Sequence, residues 1–185
     1  PDASDVDLFG LSMEELMDAT VISASKKEQT VSRAANAVFV INQEDIRRSG
    51  ATTLPDVLRM APGINVAQIN ANTWAVTARG FNGRYANKLQ VLIDGRSLYG
   101  PLFSGVLWDH HDLLLEDIER IEVIRGPGAS LWGSNAVNGV INIITKHTRQ
   151  TQGGLIVAGG GKEEHGFGAV RLGGKMAENL YYRVY

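Results

Sequence analysis

Apolar residues fall into short blocks along this chain rather than into long stripes. AVFVI (37–41), INVAQI (64–69), WAVTARG (74–80), QVLIDG (90–95), IERIEVIRG (118–126) and GVINIITK (139–146) are strand-length and rich in β-branched residues. That is the pattern of buried or half-buried strands. Two short helices interrupt them. NQEDIRRSG (42–50) opens on Asn42, a good N-cap, and stops at Gly50. TTLPDVLRMAPG (52–63) starts at Thr53, with Pro55 in the first turn, where its missing N–H does no harm. SLWGSNAV (130–137) makes one helical turn or a loop. Strands and helices mix without a regular strand–helix–strand repeat. The pattern predicts an α+β domain over 30–147, with a small mixed β-sheet and short helices.

The flanks differ from this middle. Residues 1–29 carry six acids before the first base, Lys26. LSMEELMD (11–18) reads as one helix, with Ser12 and Glu15 forming a capping box. ATVISAS (19–25) is β-prone but short. These features predict a flexible arm with one helix and one strand-ready segment. Residues 153–185 hold nine of the 21 glycines within 153–174. GGLIVAGGG, HGFGAVRLGG and NLYYRVY are strand-length segments separated by turn residues. Three such strands do not make a domain alone. They are expected to begin a larger antiparallel sheet.

Composition narrows the functions. The net charge of −2 gives no basic footprint for nucleic acid. With no cysteine, disulfides and thiolate metal sites are excluded. No apolar run is long enough for a transmembrane helix. The acidic opening PDASDVD lacks the features of a signal peptide.

The stretch ERIEVIRGPGASLWGSNAVNG (119–139) poses the sharpest question, because a strand-like IEVI runs into Gly126, Gly128, Gly133 and Gly139. A phosphate-cradling loop needs lysine and a hydroxyl after its last glycine, to neutralise the phosphates and hold magnesium. Here Gly133 is followed by Ser134-Asn135, and no lysine lies between Lys88 and Lys146. A dinucleotide loop needs a third glycine, but Gly126-Pro127-Gly128 is followed by Ala129-Ser130-Leu131. Both nucleotide chemistries fail. Tight turns and close backbone packing remain. Asp109-His110-His111-Asp112 lacks the three or four convergent ligands of a zinc site. Asp117 and Glu119 belong to a turn entering a strand. No catalytic residues, resident metal or cofactor are expected, and an enzyme is not.

These residues carry a resemblance. IERIEVIRGPGASLWGSNAVNGVINIITK (118–146) resembles the signature that closes the plug domain of TonB-dependent outer-membrane receptors. TTLPDVLRMAPGINV resembles the plug's helix-to-strand segment, VTARGF its Arg-Gly strand end, and VLIDGRSLY its central strand and turn. DATVISAS resembles the TonB box. The match runs from about Asp18 to Lys146 in the family's order. Residues 153–185 then stand where the family's transmembrane β-barrel begins, so the resemblance implies the first strands of an incomplete barrel.

The resemblance implies roles for particular residues. Thr20, Val21, Ile22, Ser23 and Ala24 would bind the TonB C-terminal domain by strand addition; an ordinary edge strand of the plug sheet is the alternative. Arg79, Glu122 and Arg125 would pair with charges on the barrel wall or with each other, and the four glycines would let the plug pass close to that wall. Loops 68–73 and 96–112 would face a ligand, with Asn70, Asn72, Tyr99, Phe103 and Trp108 as contacts, because flat apolar faces with a few polar anchors suit a bulky organic molecule. Trp74 and Trp132 read as core. The function implied is energy-coupled uptake of a scarce ligand, a ferric siderophore or similar metal chelate or a cobalamin-like molecule, across a Gram-negative outer membrane. The rival is a stand-alone periplasmic module that binds TonB or a ligand without a pore. Strands 153–185 without barrel neighbours are expected to be disordered, to fold back, or to pair between copies.

Overall fold

The computed structural model describes residues 37–80, 82–162 and 165–185, and the backbone of Thr20, Val21, Gln29 and Thr30. The expected arm helix 11–18, and Ile22, Ser23 and Ala24, lie outside the described residues. The chain divides into two compact units, one up to Ile144 and one from Thr145.

In the first unit, β1 (Thr20–Val21) pairs antiparallel with β2 (Gln29–Thr30). This two-stranded ladder is separate from the main sheet. β3 (Ala37–Asn42) leads into α1 (Gln43–Ser49). The Asn42 side chain accepts a hydrogen bond from the Asp45 N–H at 2.8 Å, and the Asp45 carboxylate accepts one from the Asn42 N–H at 2.9 Å. This reciprocal cap satisfies two orphan donors. Gly50 ends the helix in the left-handed region, φ +68°. α2 (Leu54–Val57) is capped by Thr53 and tightens into a 3-10 turn at Leu58–Met60. The run read as one helix over 52–63 is thus two short pieces.

β4 (Ile64–Asn70) and β5 (Thr73–Ala78) form a separate antiparallel hairpin. β6 (Leu89–Ile93), β7 (Arg96–Ser97), β8 (Ile118–Arg125) and β9 (Gly139–Thr145) join β3 in a five-stranded sheet of order β3-β8-β9-β6-β7. β3 runs antiparallel to β8 and β6 parallel to β9, so the sheet is mixed. One face contributes Ile41, Leu89, Val91, Ile121, Val123, Ile141 and Ile143 to the main core, against Val57 and Leu58 of the helical segment. Each such buried side chain stabilises by about 1.5–3 kcal/mol. Around Ile124 and Val140, the edge of the other face packs on Ala136 and the half-buried Trp132 of the glycine loop.

One of these glycines, Gly139, serves close packing within the chain itself. A Cβ on Gly139 would stand 2.5 Å from the Ile124 carbonyl oxygen, closer than any real Cβ contact. Gly126 and Gly133 instead supply positive φ at turns, +132° and +95°. Of the helical turn or loop expected over 130–137, α3 (Ala129–Trp132) is a single helical turn that starts one residue earlier and ends at Trp132.

In the second unit, β10 (Gly153–Gly159), β11 (Phe167–Ala177) and β12 (Leu180–Val184) form an antiparallel sheet. It is not closed into a barrel. The register sets Ile156 beside Val170 and Leu172 beside Val184 on one face. That face is apolar and open, with Ile156 78% and Val170 64% exposed. The other face carries Arg171, Lys175, Tyr181 and Arg183. There Arg183 donates to the Lys146 carbonyl at 2.9 Å, and the Arg149 guanidinium lies 5.0 Å from the Tyr181 ring centre.

Candidate ligand-binding surface

Two loops of the first unit build one continuous surface. The first, 79–88, leaves the end of β5, where Arg79 adopts φ +59° and Gly80 φ +90°. Its far end is fixed by the Asn138 N–H, which donates to the Lys88 carbonyl at 2.8 Å. The second loop follows β7, and the Gly100–Gly105 bridge closes it into a tight excursion. Tyr85 from the first loop stacks on Phe103 from the second, ring centres 5.0 Å apart and planes 19° from parallel. Arg84 sits over the Tyr85 ring at 5.4 Å and reaches to 4.0 Å from the Asp109 carboxylate. The Tyr99 hydroxyl faces the Ala86 carbonyl at 3.4 Å, and burial pushes its pKa up to about 12. Beneath the loops, Arg84 and Ala86 close over Leu89, Val91, Val106 and Trp108, leaving no cavity.

Two expectations are corrected here. Trp108 is only 6% exposed and belongs to the main core, so its indole is the floor under the loops rather than a ligand contact. A ring of that size stabilises most when fully enclosed. Glu122 is completely buried within the chain, and its carboxylate is held by Arg120 at 2.9 Å. It has no surface to offer a wall. Arg120 also pairs with Glu119.

The other named residues lie as follows. Tyr99 is half-buried and Phe103 exposed on the paired loops. Asn70 and Asn72 share the β4–β5 turn, where the Asn72 N–H donates to the Asn70 side chain at 3.2 Å. That turn is the hairpin end remote from Arg79, about 20 Å along the strands. Arg79 is exposed. Arg125 is half-buried, and its Nε is enclosed without a hydrogen-bond partner among the described residues. Trp74 is core, as expected, whereas Trp132 is half-buried. Arg84 and Tyr85 are additions that sequence reasoning missed. Their signal was an aromatic beside a base in a Gly/Asn-rich loop, FNGRYANK. His110 Nε2 lies 4.0 Å from the Asp109 carboxylate. The His111 pKa is lowered, mainly by burial and then by nearby Arg96.

The profile of the TonB-dependent receptor plug domain matches residues 30–140, and the chain belongs to that family. A vitamin B12 transporter, BtuB, of Vibrio vulnificus is 34% identical over 148 residues, covering 79% of this chain and 23% of the relative. BtuB of Photobacterium profundum is 32% identical over 167 residues, 90% of this chain and 26% of the relative. Among solved structures, a mutant of the ferric enterobactin receptor PfeA of Pseudomonas aeruginosa superposes with a TM-score of 0.57 at 28% identity, covering 79% of this chain and 23% of that one. The pyoverdine receptor FpvA of Pseudomonas aeruginosa PAO1 gives 0.67 at 21% identity, over 91% and 24%; that likeness is one of fold. The chain thus spans about a quarter of the length of these relatives. They are named as transporters and receptors, not as enzymes.

Proposed function

We propose that this chain is the plug, with the first wall strands, of an outer-membrane receptor in a Gram-negative bacterium, and that it gates energy-coupled uptake of a scarce ligand. The observation that carries the reading is the family match over 30–140. Strands 153–185 add to it. Apolar residues face out on one side of their sheet and charged residues on the other. That alternation is the pattern of a barrel wall between lipid and lumen. β11, with 11 residues, is long enough to span a hydrocarbon core. The same exposed apolar face argues against a stand-alone periplasmic module, which would leave it in water.

In this reading 1–29 is the arm, 30–147 the plug and 153–185 the start of the wall. Thr20 to Ala24 offer backbone to the TonB C-terminal domain by strand addition. Arg79 and Arg125 meet carboxylates of the barrel; the Nε of Arg125, enclosed and unpartnered among the described residues, leaves room for such an acceptor. Asn70, Asn72, Tyr99 and Phe103 meet the ligand. BtuB and PfeA bring two ligand types into consideration, cobalamin and a ferric siderophore. The test is uptake. Cells carrying the gene for this chain should accumulate radiolabelled cyanocobalamin or iron from ferric enterobactin, and lose that uptake on deletion of the gene or of TonB. Uptake unaffected by either deletion would contradict the proposal.

A further inference from the structure

The dipeptide Asn-Gly occurs twice in the chain, at 82–83 and at 138–139. The two copies stand in opposite surroundings. Asn138 is locked: its N–H donates to the Lys88 carbonyl at 2.8 Å and its side chain to the Ala78 carbonyl at 3.0 Å. Gly139 begins β9, pairs with Leu89 of β6, and has no spare room beside the Ile124 carbonyl. Asn82 instead is exposed in the 79–88 loop, outside every strand and helix. No backbone carbonyl among the described residues holds the Gly83 N–H. A Cβ on Gly83 would meet nothing within 4 Å, so that peptide has open space beside it. Among the described residues the Asn82 carboxamide makes one hydrogen bond, to the exposed Asn65 side chain at 3.0 Å. An exposed bond of this kind restrains the side chain by about tenfold at most.

We propose that Asn82 is a modification site, at which the chain converts asparagine to aspartate and isoaspartate without an enzyme. Asparagine is thermolabile for a chemical reason. The Gly83 backbone nitrogen attacks the Asn82 side-chain carbonyl carbon, and the new C–N bond closes a succinimide ring. The bond to the side-chain nitrogen breaks, and ammonia leaves with the proton that Gly83 gives up. Water then opens the ring at either carbonyl. One opening gives aspartate; the other gives isoaspartate, whose main chain runs through the former side chain. Glycine suits the attack, because no side chain shields its nitrogen and its backbone turns freely. The same step at Asn138 requires Gly139 to leave β9, so it waits on local opening of the sheet. Both products put a carboxylate two residues before Arg84, whose contact with Asp109 is as long as 4.0 Å. Isoaspartate also lengthens the backbone that carries Tyr85 onto Phe103. The age of the chain is thus written into the charge and shape of this loop. The inference stands apart from the receptor reading.

The test is a peptide map of the whole chain after incubation at mildly alkaline pH, once folded and once in urea. Trypsin places Asn82 in the peptide 80–84 and Asn138 in the peptide 126–146. Conversion reads as the mass difference between Asn and Asp, and protein isoaspartyl methyltransferase labels the isoaspartate fraction. In the folded chain Asn82 should convert about tenfold or more faster than Asn138. In urea the ratio should fall to near unity, because only the fold distinguishes the two sites. Gly83→Ala, which the open space accommodates, should fold as the wild type does and slow conversion by about threefold or more. Equal rates at the two sites in the folded chain would overturn the inference. So would an Asn82 that survives in the folded chain while it converts in urea, or a Gly83→Ala chain that converts as fast as the wild type.

Discussion

The Glu122 carboxylate, fully buried on β8, is held by the Nε of Arg120 at 2.9 Å, two residues earlier on the same face of the strand. Arg120 spans both environments, because its second contact is the half-exposed Glu119. Removing Arg120 takes from the buried Glu122 carboxylate a cation that holds it. Arg120→Ala should therefore destabilise the domain by about 3 kcal/mol, the low end for buried pairs, since Arg120 keeps some exposure. Arg48→Ala, which breaks the exposed Arg48–Glu44 pair on α1, should cost about 0.5 kcal/mol or less. Urea denaturation of the two variants checks the contrast; equal losses would contradict it.

Gly139 begins β9 directly against the Ile124 carbonyl. The constraint is space, not backbone angle. Gly139→Ala must push the strand away from β8 and should cost about 1–3 kcal/mol, the usual range for overpacking. Gly154→Ala, where a Cβ would meet nothing within 4 Å, is the control and should stay near wild type. Thermal melts of both report the result. A Gly139→Ala protein as stable as the control would show that β8 and β9 can separate freely.

Tyr99 titrates near 12 in the folded chain because burial disfavours its phenolate. An unfolded tyrosine loses its proton near pH 10. The folded pKa is the higher one, so the associated stability is complete below pH 10. It is lost as pH rises from 10 to about 12, where the unfolded state has released the proton and the folded state has not. Tyr99→Phe should flatten the alkaline loss of stability between those values. An unchanged slope, followed by denaturation midpoints across that range, would contradict the assignment.

The sequence announced its local structure well and its long-range pairings poorly. Asn42, Gly50, Thr53 and Pro55 act on their own neighbours, so caps and stops were readable from spacing. So were the longer strands, because β-branched runs bury on a sheet whatever their partner, whereas the two-residue β2 and β7 carried no such run. The order β3-β8-β9-β6-β7 was not readable, since parallel pairing of β6 with β9 joins segments about fifty residues apart. Trp108 was misread for the same reason. It stands in a polar loop by sequence, yet the 79–88 loop folds over it. Glu122 looked like a surface charge because its cover is not local. The Arg84–Tyr85–Phe103 cluster exists only once two loops meet. The glycine loop was half legible. Its failure as a phosphate cradle followed from the missing lysine, but the close approach of Gly139 to the Ile124 carbonyl of β8 was not readable.

The central claim is that the chain couples to TonB through the segment at 20–24. β1 is already paired, Thr20 with Thr30 and Val21 with Gln29. A partner strand must therefore take the open edge of β1 or displace β2. The measurement that tests this most directly is calorimetric binding of the TonB C-terminal domain to the chain and to its Val21→Pro variant. Proline removes one N–H and fixes φ, which disfavours either mode of strand addition. The account predicts binding to the wild-type chain and a loss of about tenfold or more in the variant, as for a charge-free ladder bond left unmade. Equal binding by both, or none by either, would contradict it.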